Sequence, residues 1–258
     1  MGKPIRNRAG AWAHGANMNG AARVIHYCLG VLGASFVLLS LATCSSEETV
    51  EVASDPGHAR PTQTQPATEE ANRSTRPVIV FLGTSLTAGY GLPESQAFPA
   101  LTAKRLQSAG YDYRVINAGV TGDTSAGGLR RLDWLLRLPI GVLVLELGAN
   151  DMLRGQSVDQ LRTNLETILE RTREAHPQVK FLIAGMRAAP NLGPDYTSEF
   201  DSVFPMLAER FGAGLVPFLL EDVAAERRLN QPDGVHPTAE GHALIAERLW
   251  TSLEAVLR

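Results

Sequence analysis

Beyond Cys44 the sequence has no cysteine: its two cysteines, Cys28 and Cys44, both fall in or beside one N-terminal apolar run. A disulfide framework and a cysteine–metal site are therefore excluded from the rest of the chain. Basic residues are not in surplus, with 24 Lys and Arg against 27 Asp and Glu and a net charge of -3. Without a basic excess, no nucleic-acid partner is expected. A phosphate loop of the form G-x-x-x-x-G-K-[ST] is missing, as is any histidine cluster, so no cofactor and no metal are expected. Residues 45–76, "SSEETVEVASDPGHARPTQTQPATEEANRSTR", lack aromatics, Leu and Ile and carry three prolines. Such a segment cannot bury enough apolar surface to offset its ordering entropy, and it reads as a flexible tether. A coil of that length reaches roughly 30 Å root-mean-square.

The apolar run itself, "VIHYCLGVLGASFVLLSLA" at residues 24–42, follows Arg23. It suits a signal h-region or a single membrane span, since about 20 apolar residues cross a bilayer. The stretch before it is long for an n-region, which makes Met18 an alternative start to Met1. The run closes in "LATCSS". Leu41-Ala42-Thr43-Cys44 resembles a bacterial lipobox, whose cysteine becomes the acylated first residue, although threonine replaces the usual smaller residue before it. Residues 1–44 thus read either as a signal peptide ending at Cys44 or as an uncleaved anchor. Both readings export the protein, to the periplasm or to a membrane-tethered position, with membrane contact through that anchor or its lipid.

From residue 77 to 258 the pattern is that of one folded domain. Short β-rich runs at 78–82, 113–117, 142–147, 180–184 and 214–217 alternate with helical patterns. "VIVFL" and "VLVLEL" are nearly all apolar, which suits strands covered on both faces. After Ser157, apolar residues recur at helical spacing (Val158, Leu161, Leu165, Ile168, Leu169), and Ser157 with Gln160 forms a capping-box signature. A last helix is expected after Pro237 with Thr238 as N-cap and an apolar stripe of Leu244, Ile245, Leu249, Leu253 and Val256. Alternating strands and helices imply right-handed crossovers and a three-layer α/β/α sandwich around a five-stranded parallel sheet. In such sheets ligands sit beyond the carboxyl ends of the strands.

Those exits carry the chemistry. The first offers Gly83-Thr84-Ser85, the second "NAGVTGDTSAGGL" with Gly119 and Gly122, and the third "GANDMLRG" with Asn150 and Asp151. Shortly before the last helix comes "DGVHP", with Asp233 and His236. Acyl transfer needs these parts. A serine needs a neutral imidazole to take its proton, and the imidazole needs an acceptor on its other nitrogen. Asp233 stands three residues before His236, with Gly234 between them to permit a tight turn. The oxyanion needs donors, which the backbone N–H groups of Ser85 and Gly122 and the Asn150 side chain can supply. Taken singly, each is weak, since a serine after a strand usually closes a turn and an Asn beside Asp usually caps a helix. Nor is Ser85 in a G-x-S-x-G elbow, because Thr87 fills the last position.

In order and wording, "GTSLTAGYGL", "NAGVTGDTSAGGLRRL", "LVLELGANDMLRG" and "DGVHP" resemble the four blocks of the SGNH (GDSL) hydrolase family. The branch they most resemble is the bacterial acyl-CoA thioesterase I/lysophospholipase L1/arylesterase one, and the resemblance runs from about Val78 to the C-terminus. It implies a flavodoxin-like sheet order, Ser85 as nucleophile, Ser85, Gly122 and Asn150 as the oxyanion hole, and Asp233 and His236 completing the triad. One departure stands out: the family's G-D-S-L reads G-T-S-L, with Thr84 for an aspartate that is not a triad member.

The expected function is a cofactor-independent serine esterase, working as a monomer on small acyl, aryl or thio esters or on lysophospholipids. A carbohydrate O-deacetylase on the same fold and a silent tethered binding module are the alternatives. Asp123 and Asp151 are expected to cap helices or brace loops, and His176 and His242 to be structural. The segment 186–196, "MRAAPNLGPDY", lacks a helical pattern and reads as a loop that shapes the acyl pocket.

Overall fold

The computed structural model describes residues 76–258. The tether up to residue 75 and the N-terminal segment with Cys28, Cys44, Met18 and the lipobox-like motif lie outside the described residues. Within them, no helix is long and apolar enough to cross a membrane.

Five strands form the sheet: β1 (Val78–Gly83), β2 (Arg114–Gly119), β3 (Ile140–Glu146), β4 (Lys180–Ala184) and β5 (Gly214–Val216). All pairings are parallel and the order is β2-β1-β3-β4-β5. The continuous apolar runs explain which strands are central. Val78 through Leu82 in β1 and Val142 through Leu145 in β3 are at most 1% exposed, each large side chain contributing about 1.5–3 kcal/mol on burial. β2, at the sheet edge, is mostly half-buried.

Among the described residues, eight helices accompany the strands: α1 (Ser85–Ala88), α2 (Phe98–Ser108), α3 (Ser125–Arg130), α4 (Leu132–Leu135), α5 (Ala149–Leu153), α6 (Val158–Ala175), α7 (Pro194–Phe211) and, after the last strand, α8 (Ala239–Leu257). α2 packs with α8, while α6 packs with both α3 and α7, so two helical layers flank the sheet. Ser157 caps α6 by accepting from the Gln160 N–H at 3.2 Å. Thr238 caps α8 by accepting from the Gly241 N–H at 3.3 Å.

Two details depart from the sequence reading. In α8 the buried stripe is His242, Ile245, Ala246, Leu249, Trp250 and Leu253, and Leu244 is exposed. A helix repeats every 3.6 residues, so Leu244 falls off the face that its neighbours define. The segment 186–196 also orders sooner than expected: Pro190–Leu192 forms a 3-10 turn and α7 already begins at Pro194. Proline fits the first helical turn, where its missing N–H would have no partner.

Candidate active site

β1 ends in a sharp turn into the one-turn helix α1. Thr84 caps that helix, its hydroxyl accepting from the Leu86 N–H at 3.3 Å, and Ser85 is the first helical residue. The Ser85 hydroxyl lies 3.0 Å from Nε2 of His236. Nδ1 of His236 lies 2.7 Å from Oδ2 of Asp233. Oδ1 of Asp233 accepts from the backbone N–H groups of Val235 at 2.9 Å and His236 at 3.0 Å. Gly234 takes a φ of 71°, which lets the chain turn back within three residues. The His236 backbone N–H first, then the imidazole and the Val235 N–H, hold the Asp233 carboxyl down at about 2. It is thus an ionised acceptor throughout the neutral range, and it orients the imidazole with Nε2 toward Ser85. The Tyr90 ring lies over that imidazole, with centroids 4.5 Å apart.

The second exit loop is knitted to the first. The Val120 N–H donates to the Gly83 carbonyl at 3.0 Å, and Arg131 reaches both that carbonyl (3.0 Å) and the Asp123 carboxylate (2.7 Å). Gly122 sits in this loop with a φ of 79°, its carbonyl accepting from Arg154 at 2.7 Å. Asn150, in α5, donates one Nδ2 hydrogen to the Asp123 carbonyl at 2.8 Å, and its second amide hydrogen is left over. Asp151 is buried and accepts from the Ser125 N–H at 2.9 Å and hydroxyl at 2.5 Å. Asp123 and Asp151 therefore brace loops.

All five residues singled out in the sequence lie at strand exits on one edge of the sheet, and Ser85, His236 and Asp233 form a continuous hydrogen-bonded chain. Gly122 and Asn150 join through the Asp123–Arg131 framework. His176 and His242 stand apart. His176 ends α6, with Nε2 3.2 Å from the Leu136 carbonyl. His242 is buried against Phe98, its Nδ1 accepting from the Phe98 N–H at 3.3 Å. Burial foremost, with the charge of His236 adding to it, lowers the His242 pKa to about 4, so this imidazole is neutral at pH 7.

A profile of the GDSL-like Lipase/Acylhydrolase family matches residues 81–244, which takes in every residue of this framework. The chain belongs to that family. Esterase TesA of Pseudomonas aeruginosa is 41% identical over 180 residues, covering 69% of this chain and 89% of that protein. Thioesterase 1/protease 1/lysophospholipase L1 of Escherichia coli K12 is 37% identical over 181 residues, covering 69% and 84%. Among solved structures, the psychrotrophic esterase EstA of a Pseudoalteromonas species, inhibited by monoethylphosphonate, matches with a TM-score of 0.65 and 34% identity, covering 70% and 98%. This GDSL-like hydrolase is accordingly a carboxylic ester hydrolase with the flavodoxin-like sheet order that its sequence implied.

Three residues of this framework are not singled out by the sequence. Gln231 donates to the Tyr90 carbonyl at 2.7 Å and the Pro237 carbonyl at 3.0 Å, pinning the histidine loop to the first exit loop. Arg154 holds the Gly122 carbonyl, and nothing in "GANDMLRG" distinguishes it from a solvated cation. Glu146 ends β3 at 1% exposure beneath the Ser85 turn. Burial raises its pKa above the ordinary carboxylate value, while donors from Thr84 and Thr87 pull the other way. A lone carboxylate closing an otherwise apolar strand was the available signal.

Elsewhere, a cleft of about 570 Å³ is lined by Arg173, Lys180, Phe211 and Val256. It opens at the amino ends of β4 and β5, away from the exit loops and from Ser85 and His236.

Proposed function

We propose that this hydrolase cleaves small acyl, aryl or thio esters, lysophospholipids included, through a Ser85–His236–Asp233 triad. The observation that carries this reading is the 3.0 Å contact between the Ser85 hydroxyl and Nε2 of His236, continued at 2.7 Å to Asp233. In the first half-reaction Nε2 takes the hydroxyl proton as Oγ bonds to the substrate carbonyl carbon. The carbonyl electrons move to oxygen, and the resulting anion meets the Ser85 and Gly122 N–H groups and the spare Asn150 amide hydrogen. Collapse breaks the bond to the leaving alcohol or thiol, which takes the proton from His236. Water then repeats the sequence on the acyl-enzyme, releasing the acid and restoring Ser85. Asp233 keeps its charge throughout and stabilises the imidazolium. Every proton and electron pair is accounted for by these side chains, so the cycle requires no cofactor.

The test pairs a fluorophosphonate probe with p-nitrophenyl esters and acyl-CoAs of increasing chain length. Stoichiometric labelling that disappears in Ser85→Ala, with turnover falling by several orders of magnitude, is the expected result. Near-wild-type turnover in Ser85→Ala overturns the reading. Cleavage of acetyl esters alone would replace the substrate class with that of an O-deacetylase, and no labelling or turnover at all would leave a silent binding module.

A further inference from the structure

Glu146 is the one acidic residue of β3, and its neighbours in the sheet are the residues of the Ser85 turn. It pairs with Gly83 across the β1–β3 ladder. Its Oε2 accepts from the Thr84 N–H at 2.8 Å, the Thr87 N–H at 3.2 Å and the Thr87 hydroxyl at 2.7 Å. The Thr84 hydroxyl donates at 3.0 Å to Oε1, with Oε2 at 3.1 Å. All four donor groups flank Ser85. The space is filled so completely that a Cβ at Gly83 would lie 2.6 Å from Oε2 and 2.0 Å from the Thr87 hydroxyl.

Burying a carboxyl group costs several kcal/mol unless hydrogen bonds offset it. A satisfied structural carboxylate would meet that demand anywhere in the core. What separates Glu146 from that case is the choice of amides it engages. Of the four consecutive N–H groups from Thr84 to Thr87, those of Thr84 and Thr87 go to Glu146 and that of Leu86 goes to the Thr84 hydroxyl. Among the described residues, the Ser85 N–H meets no acceptor; as the first residue of α1 it has no intrahelical partner either. The carboxylate therefore holds the amides on both sides of Ser85 and leaves free the one amide an oxyanion would use.

We propose that Glu146 is a positioning residue for the nucleophile, its carboxylate clamping the Thr84–Thr87 turn so that the Ser85 amide and hydroxyl face the substrate carbonyl. This rests on the reading of Ser85 as nucleophile. Thr84 takes part through its hydroxyl, so the G-T-S-L spelling still anchors the turn. A displacement of the turn by about 1 Å is worth roughly 10²-fold in rate, because donor and nucleophile geometry count only at the transition state.

The experiment compares Glu146→Gln, Thr87→Val and Thr87→Ser with the wild type on one p-nitrophenyl ester, alongside melting temperature and the rate of fluorophosphonate labelling. Glu146→Gln puts an amide where four donors converge, and Thr87→Val removes one donor at constant shape. Both should lose about 10-fold to 100-fold in kcat with KM within about twofold, and labelling should slow in parallel. Thr87→Ser, which keeps the hydroxyl, should recover most of the loss. If Glu146→Gln fails to fold, the Thr87 pair decides alone. Unchanged kcat in the folded variants overturns the proposal. So does a Thr87→Ser loss equal to that of Thr87→Val, or a loss of activity that matches the unfolded fraction. Ser85→Ala runs in parallel: if it retains activity, the nucleophile assignment fails by a different signature from any of these.

Discussion

At the scale of single residues, the proposed mechanism has Asn150 and Asp233 act at different moments, and their loss should look different. In that mechanism Asn150 donates its spare amide hydrogen to the substrate oxygen only after that oxygen carries charge. Asn150→Ala should therefore lower kcat by roughly 10²–10³-fold with little change in KM. Asp233 is proposed to work through His236, 2.7 Å away, so Asp233→Asn offers the imidazole an ambiguous partner and admits the wrong tautomer. That variant should lose roughly 10³–10⁴-fold near neutrality and recover part of it as pH rises and hydroxide assists. Asn150→Ala has no such reason to recover. Measuring kcat against pH for both on one ester checks this, and parallel profiles would mean that at least one role is misassigned. Held at about 2 rather than the ordinary 3.8, the Asp233 carboxyl favours the folded state at every pH above about 4. That contribution is lost as pH falls through about 2. Most of these residues were legible because each sits in a short polar word at the end of an apolar strand, where only a few neighbours decide its geometry. Glu146 was not, because its partners Thr84 and Thr87 lie about sixty residues away in sequence and meet it only once β1 and β3 pair.

Among the elements, helix positions are more legible in the sequence than helix faces. Caps at Ser157 and Thr238 are local hydrogen bonds, written in the residues that make them. The buried stripe of α8 depends on which side meets α2, and Leu244 lost to Ala246 and Trp250 on that account. The α2–α8 contact also places His242 against Phe98 with its imidazole pinned below its ordinary 6.5 at about 4. Between those values the unfolded chain binds more protons than the folded one, so stability should rise with pH across this window and fall as pH drops from 6.5 toward 4. The span corresponds to about 3 kcal/mol. Thermal melts of wild type and His242→Gln over pH 4–7 check it, the variant giving the flatter curve; equal slopes would place the sensitivity elsewhere. Arg154 belongs to this scale too, since it ties α5 to the β2 exit by holding the Gly122 carbonyl. Arg154→Ala should cut kcat severalfold with the melting temperature nearly unchanged, because an exposed contact adds little to stability.

For the whole molecule, the order β2-β1-β3-β4-β5 sets β2, β1 and β3 side by side, and the candidate site forms where the loops after them meet the loop that carries His236. The alternation of strand and helix made the layers legible. The order needed the handedness of the crossovers and the family resemblance, since no spacing in the sequence says which strands pair. The same topology sets where the domain can begin. The Pro77 carbonyl accepts from the Arg114 N–H at 3.1 Å and the Val78 N–H donates to the Pro139 carbonyl at 2.9 Å, so the sheet is engaged from Pro77 onward. Arg76 adds an ion pair with Asp112 in which both side chains are largely exposed, and such pairs contribute about 0–1 kcal/mol. We propose that a chain starting at Arg76 folds and keeps the full kcat/KM on a soluble p-nitrophenyl ester, with a melting temperature within a few degrees of the full-length protein. A chain starting at Leu82 would lose Val78 through Phe81, four fully buried residues of a central strand, and should not fold. Aggregation or lost activity in the Arg76 chain, with the full-length protein active, would mean that residues before 76 supply part of the domain, and the boundary would then have to move toward the N-terminus.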